Sequence, residues 1–287
     1  MPELPEVEVV RRGLERFVTD STVTAVEVLD ERALKRHRGD ALDFVDGLEG
    51  QVLLAPQRRG KFLWLPLADA DAPTRVLMTH LGMSGQLLIQ PVGATDERQL
   101  CIRLRLVMPA GDEHELRFVD QRRFGSLAID SLTASGTPSQ VAHIARDPLD
   151  PEVDAAATAA RLRRGRRAIK AVLLDQSVVS GVGNIYADEA LWAARLHWAQ
   201  PANTVSARKA GELLRDVRAV FERALVEGGT SFDSLYVNVN GESGYFSRSL
   251  HAYGRAGEPC DRCGRLLLRE SFANRSSFRC PRCQRLR

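Results

Sequence analysis

Cys260-Asp-Arg-Cys263 and Cys280-Pro-Arg-Cys283, sixteen residues apart, frame the last segment of the chain. Two C-x2-C knuckles at this separation bring four thiolates into a tetrahedron, the geometry of one structural zinc ion with every position filled by protein. The alternative is two disulfides or a redox pair, for which the sequence offers neither an export signal nor a catalytic βαβ context. Cys101 falls in an alternating stretch and reads as a small buried hydrophobe. A zinc ribbon names no reaction, so its role rests on what it presents. Between the knuckles lies Asn274-Arg275-Ser276-Ser277, a polar turn whose Arg a metal-stapled hairpin can hold against a phosphate.

Working back from the finger, residues 228–257 are rich in Gly, Asn and Ser with Tyr236, Tyr245, Phe246 and Tyr253, a composition suited to a functional loop. Helical patterns precede it, at roughly 206–227, 185–195, 168–176 and 152–164. Before these, 131–140 is rich in Ser, Thr, Gly and Pro and reads as a linker. From Thr22 to Ile129 the pattern is of short strands, clearest where Ile102, Leu104, Leu106 and Met108 alternate with Arg103 and Arg105. A helix begins near Pro5, with Val7, Val10, Leu14 and Phe17 at steps of three and four and Glu3, Glu6 and Glu8 near its positive end. The expected fold is α+β and multidomain: an N-terminal helix plus an antiparallel β domain, an α-helical domain and a C-terminal β-hairpin zinc finger.

The net charge of +3 is uneven: residues 1–130 hold 17 Lys/Arg against 21 Asp/Glu, and residues 131–287 hold 23 against 16. Residues 255–287 alone carry nine Arg and three acids, which suits a polyanion partner as well as an ordinary solvated face. No apolar run of about 18 residues appears and the start is acidic, so a cytoplasmic protein without membrane contact is expected. Pro2 follows the initiator Met, whose removal leaves a free secondary amine. An α-amino group has a pKa of about 8 against about 10.4 for Lys, so much of it is nucleophilic at neutral pH. Glu3 is then the neighbouring acid/base candidate. Pro2, Pro5 and the glutamates also read simply as a helix start.

Six blocks carry a resemblance: Met1-Pro-Glu-Leu-Pro-Glu-Val-Glu8, Arg58-Arg59-Gly60-Lys61, His80-Leu-Gly-Met-Ser-Gly85, Asp120-Gln-Arg-Arg-Phe-Gly125, Gly181-Val-Gly-Asn-Ile-Tyr-Ala187 and the four-cysteine finger. In this order, over essentially the whole chain, the sequence resembles bacterial formamidopyrimidine-DNA glycosylases. The resemblance implies a β-sandwich catalytic domain at 1–130, a helix-two-turn-helix domain at 141–256 with a lesion loop at about 230–246, and a zinc finger at 257–287. It implies a monomer acting on damaged double-stranded DNA, removing oxidised purines through a Schiff base and then cutting the strand by β,δ-elimination.

Position by position, Pro2 resembles the family's nucleophile and Glu3 the acid that assists base loss and ring opening. Lys61 resembles the β-hairpin lysine that contacts phosphate and donates a proton in β-elimination; as a bare feature it is a solvated turn. Met83, Arg122 and Phe124 resemble the trio that enters the duplex as the damaged nucleotide swings out, replacing the lost stack and bonding the orphaned base. Without the family, Met83 and Phe124 read as core. Asn184, in a Gly-rich turn, resembles a phosphate contact at a helix N-terminus with free backbone N–H groups. Arg275 resembles the finger residue on the same phosphates, with a role in δ-elimination, and Lys170 a lysine near the DNA. One departure stands out: relatives carry a DNA-contacting His ahead of the strand at Ile102, where this sequence has Gln99 and Cys101. The rivals are an endonuclease VIII-like enzyme for oxidised pyrimidines, disfavoured by Leu4 and the loop segment, a non-catalytic DNA sensor, and a zinc-ribbon enzyme for a small molecule.

Overall fold

The computed structural model describes residues 2–68, 72–229 and 246–286. They form two compact units, one holding Pro2 and residues 6–143, the other residues 3–5, 144–229 and 246–286. No helix among the described residues is long and apolar enough to cross a membrane.

In the first unit, α1 (Leu4–Val18) runs past the expected end at Phe17 by one residue, and its stripe Val7, Val10, Leu14 and Val18 is buried. Among the described residues nine strands follow: β1 (Ser21–Val28), β2 (Val52–Leu53), β3 (Gln57–Arg59), β4 (Phe62–Pro66), β5 (Arg75–His80), β6 (Gly85–Pro91), β7 (Leu100–Val107), β8 (Glu113–Asp120) and β9 (Ser126–Ser131). They build two antiparallel sheets, ordered β2-β1-β7-β8-β6 and β3-β4-β5-β9. The alternation in β7 holds, since Ile102, Leu104 and Leu106 point into the core while Arg105 is exposed. Every residue of β4, Phe-Leu-Trp-Leu-Pro, is buried, as a strand covered on both faces requires. One core draws on both sheets and α1, including Val10, Leu14, Leu63, Leu77, Leu104 and Phe118. The expected linker is folded: Thr133 N–H donates to Thr137 O, and the Asp130 carboxylate accepts from Ser139 Oγ at 2.6 Å and Gln140 N at 2.9 Å. A short helix, α2 (Ala41–Asp46), was not expected; Asp40 caps it and its Phe44 is buried.

The second unit contains α3 (Ala155–Leu162), α4 (Ile169–Leu173), α5 (Asn184–Ala193) and α6 (Ala207–Val226), each inside or near its expected range. They pack around Tyr186, which meets Phe221 edge-on at 5.3 Å and stacks on Phe246 at 5.8 Å. A two-stranded hairpin follows, β10 (Leu268–Phe272) and β11 (Arg275–Arg279). Its turn is Ala273-Asn274, with Ala273 at φ 49°, so the expected polar turn begins one residue early and Arg275 opens the second strand. Trp192 of α5 packs with Leu267, Phe278, Cys260 and Cys280, so the finger shares a core with the helices. The segment read as a lesion loop lies outside the described residues except for Phe246.

Glu8 shows how charge is used inside α1. Its carboxylate takes Arg11 at 3.0 Å, Arg12 at 2.8 Å and, from β3, Arg58 at 3.0 Å. Burial, the largest single influence, pushes its pKa up, but Arg11 and Arg58 together outweigh it and hold the group at about 2, well below the ordinary 4.5. A depressed carboxylate stabilises the fold above the unfolded pKa, and that contribution is lost as pH falls through the folded one. Stability should therefore fall between about pH 4.5 and pH 2, with Glu8 accounting for on the order of 2 to 3 kcal/mol. Glu8→Gln should flatten this limb in acid-unfolding curves; an unchanged limb contradicts the assignment.

Candidate functional site

At the finger, the Sγ atoms of Cys260, Cys263, Cys280 and Cys283 all lie within 4.8 Å of one another. A tetrahedral zinc thiolate, with Zn–S near 2.3 Å, spaces its sulfurs at about this scale. Both knuckles have the turn that such a site needs: Cys263 N–H and Gly264 N–H reach back to Cys260 O, with Gly264 at φ 70°, and Cys283 N–H points at Cys280 Sγ at 3.4 Å. The four residues fit a zinc ion, whose contribution is to fold the hairpin and hold Arg275 exposed at its tip.

The hairpin is docked by a buried carboxylate that the sequence reading missed. Asp188 of α5 accepts from Ser277 Oγ at 2.8 Å and Phe278 N at 2.9 Å, and pairs with Lys170 Nζ at 2.7 Å. Burial pushes Asp188 up to about 6 and Lys170 down, against the attraction between them. Lys170 is fully buried. Its ammonium is committed to Asp188, to Ser276 O at 3.2 Å and to the face of Phe272. Asn184 Nδ2 donates to the same Ser276 carbonyl at 3.0 Å, so Asn184 and Lys170 both fix the residue next to Arg275.

At the N-terminus of α5 the buried Glu3 carboxylate takes two of the backbone N–H groups, accepting from Gly183 N at 2.6 Å and Ile185 N at 2.9 Å. Those two are not free for a phosphate. A Cβ on Gly183 would clash with that carboxylate, and one on Gly181 with Leu4, whose N–H donates to Gly181 O at 3.1 Å. The Gly-x-Gly pattern is thus the cradle for Glu3 and Leu4. Pro2, one peptide bond away, is itself buried.

In the first unit, Met83, Arg122 and Phe124 come together on two adjacent connections, residues 81–84 and 121–125. All three are exposed, Phe124 by 57% and Met83 by 39%, so the core reading of both fails. The Arg122 guanidinium lies 3.9 Å from Met83 Sδ. Gly82, at φ 62°, lets the two connections touch, since a Cβ there would strike the Phe124 backbone. Beneath them Asp120, fully buried, accepts from Ser84 Oγ at 2.6 Å, Gly125 N at 2.6 Å and Arg122 N at 3.2 Å. Asp120 and Ser84 stood inside quoted motifs, yet nothing in the string separates a buried anchor from a surface polar residue.

Lys61 is half-buried beside Gly60, whose φ of 57° makes the turn from β3 to β4. Close by is His80, to which the sequence reading gave no part. Burial first, then Arg36, Lys61 and Lys35, bring its pKa down to about 4, so it is neutral at pH 7 and its Nδ1 accepts from Gly82 N at 3.2 Å. Three cations within electrostatic reach of one imidazole make this a positive corner. Cys101 is buried, as expected, and Gln99 uses its carbonyl on the Asp120 N–H.

Family models match the chain over three segments: the formamidopyrimidine-DNA glycosylase N-terminal domain at residues 1–127, the H2TH domain of the same proteins at 144–234, and a zinc finger found in FPG and IleRS at 257–286. The chain belongs to the formamidopyrimidine-DNA glycosylase family. Among curated members, it is 58% identical to the Streptomyces avermitilis protein, covering 99% of this chain and 98% of that one, and 56% identical to that of Thermobifida fusca, covering 99% and 97%. Among solved structures, a Lactococcus lactis FPG variant in complex with Fapy-dG containing DNA superposes with a TM-score of 0.86 at 28% identity, covering 99% and 100% of the two chains. The wild-type Lactococcus lactis protein with an oxidized pyrimidine containing DNA gives 0.84 at 27%, covering 99% and 100%. As in the family, the fold is α+β with a DNA-repair glycosylase's N-terminal domain, an H2TH domain and a finger whose four cysteines hold one zinc ion.

Asp120→Ala should leave the Ser84 hydroxyl and the Gly125 N–H without their acceptor, while the Arg122 N–H keeps Ser84 Oγ at 3.0 Å, lowering stability by roughly 2 kcal/mol. Hydrogen exchange at Gly125 should accelerate in this glycosylase while exchange in α6 does not. Unchanged protection at Gly125 refutes the anchor.

Proposed function

We propose that the chain removes oxidised purines, 8-oxoguanine and formamidopyrimidines, from damaged double-stranded DNA and then cuts the strand, acting as a monomer through a Schiff base on the Pro2 nitrogen. The observation that carries this reading is the fixing of Glu3 on the two N–H groups of Gly183 and Ile185, next in the chain to Pro2. With Met1 removed, the Pro2 imino nitrogen attacks C1′ as the C1′–N bond to the base breaks. The base leaves with a proton and the nitrogen gives one up. Glu3 is the acid/base group for base loss and ring opening, which leaves an iminium. Loss of a C2′ proton then expels the 3′ phosphate, and loss of a C4′ proton expels the 5′ phosphate.

The remaining residues take supporting roles. Met83 and Phe124 fill the gap left by the extruded nucleotide and Arg122 bonds the orphaned base, which suits their shared exposure. Lys61, in its positive corner, and Arg275, on the zinc-held hairpin, take the phosphates flanking the lesion, with Lys61 a proton donor in β-elimination and Arg275 serving δ-elimination. Asn184 acts beside them on the Ser276 carbonyl. Lys170 acts one step back, through Ser276 and Asp188. A second reading, oxidised pyrimidines as the preferred lesion, draws on the Lactococcus lactis complex with such DNA.

Borohydride reduction during incubation with an 8-oxoguanine duplex tests the mechanism. A covalent adduct that maps to Pro2, and that disappears in a preparation retaining Met1, is expected. No adduct, or one on another amine, overturns the Schiff-base assignment. Faster release of thymine glycol than of 8-oxoguanine selects the second reading.

A further inference from the structure

The second unit contains a cavity of about 510 Å3 between α3 and α6, none of whose lining residues has a role in the site described above, within the range of roughly 300 to 1,000 Å3 usual for ligand pockets. We propose that this groove docks an acidic peptide segment of a partner protein that carries bulky apolar side chains.

Three features of the groove lead there. Its walls are apolar: Pro148, Val153, Val179 and Leu214 line it together with the alanines of α3. Its charged lining residues are Arg163, Arg215 and Arg218, with no carboxylate among them. Arg163 is steadied by Val205 O at 2.7 Å and Arg218 by Glu222 at 2.8 Å, each through Nε. The third feature is Gly211, also in the lining and inside the 20-residue helix α6, where glycine is less favourable than alanine. Packing does not require it. A Cβ there would meet only Arg215 Nη1, at 3.7 Å, so the position tolerates a side chain and lacks one. What the glycine does is keep the groove open.

Charge complementarity selects the occupant. Three guanidiniums along an apolar trough match several carboxylates flanking apolar side chains, with the anchors desolvated in the trough and the charges setting orientation and approach. Duplex DNA offers phosphates but nothing to fill an apolar trough, and a fatty acid has one carboxylate for three arginines.

Selection from a library of random peptides on the zinc-loaded, full-length protein tests this. Enriched sequences should combine carboxylates with Leu, Phe or Trp. Their affinity, read by fluorescence anisotropy, should fall about tenfold or more in Gly211→Trp, which fills the trough, and in Arg215→Ala/Arg218→Ala, which strips the rim. Lesion excision and Tm should stay near wild type in at least one of these. The proposal fails if no sequence is enriched, if enriched sequences lack acids, if neither variant weakens binding, or if undamaged duplex displaces the peptides. It also fails if palmitate binds the groove and no peptide does.

Discussion

A carboxylate held by backbone amides fixes the start of this chain. Both oxygens of Glu3 accept from the first turn of α5, where a helix leaves its N–H groups unsatisfied and its dipole favours negative charge. The Gly-x-Gly turn exists to let this happen, since neither Gly181 nor Gly183 can carry a Cβ without displacing Leu4 or Glu3. In the proposed reaction a flexible end of chain would be a poor nucleophile, because a reacting group gains from positioning only when its geometry is fixed. Anchoring the next residue restricts the arc that the Pro2 nitrogen can sweep.

The finger depends on a comparable device. Zinc can fold a hairpin but cannot say where it sits, and here Asp188 supplies that, binding Ser277 and Phe278 of β11 while Lys170 balances its charge. Removing either member leaves a buried charge uncompensated, which is far costlier than losing a surface pair. Ser276, between this anchor and Arg275, receives both Lys170 and Asn184 on its carbonyl. Arg275 thus projects from a backbone held on its inner side by three side chains of the helical region.

What was legible in the sequence, and what was not, follows the physics of each signal. Spacing fixed the zinc ligands, because tetrahedral thiolate geometry constrains which cysteines can meet. Periodicity located α1, α6 and β7, whose inward positions repeat cleanly. It said little about β8, where Arg117 is fully buried against Glu115, Glu97 and the carbonyls of Ala94 and Thr95. A buried charge with complete partners looks, in a string, like a solvent-facing one. The same blindness left Asp120, Asp188 and His80 without roles. It also missed that Glu3 takes two of the α5 amides, since Glu3 lies some 180 positions away in sequence.

The claim that a seated Glu3 sets the geometry of the reacting nitrogen is tested most directly by single-turnover excision with Gly183→Ala. Gly183 has extended backbone, φ −125°, that alanine adopts freely, so the added methyl acts only by pushing the Glu3 carboxylate from its seat. A loss of about a hundredfold in the rate of base release is expected, the scale of a misplacement of about an ångström, together with a lower Tm, because the displaced carboxylate leaves two amides unpaired. A variant that folds normally and excises at the wild-type rate contradicts it.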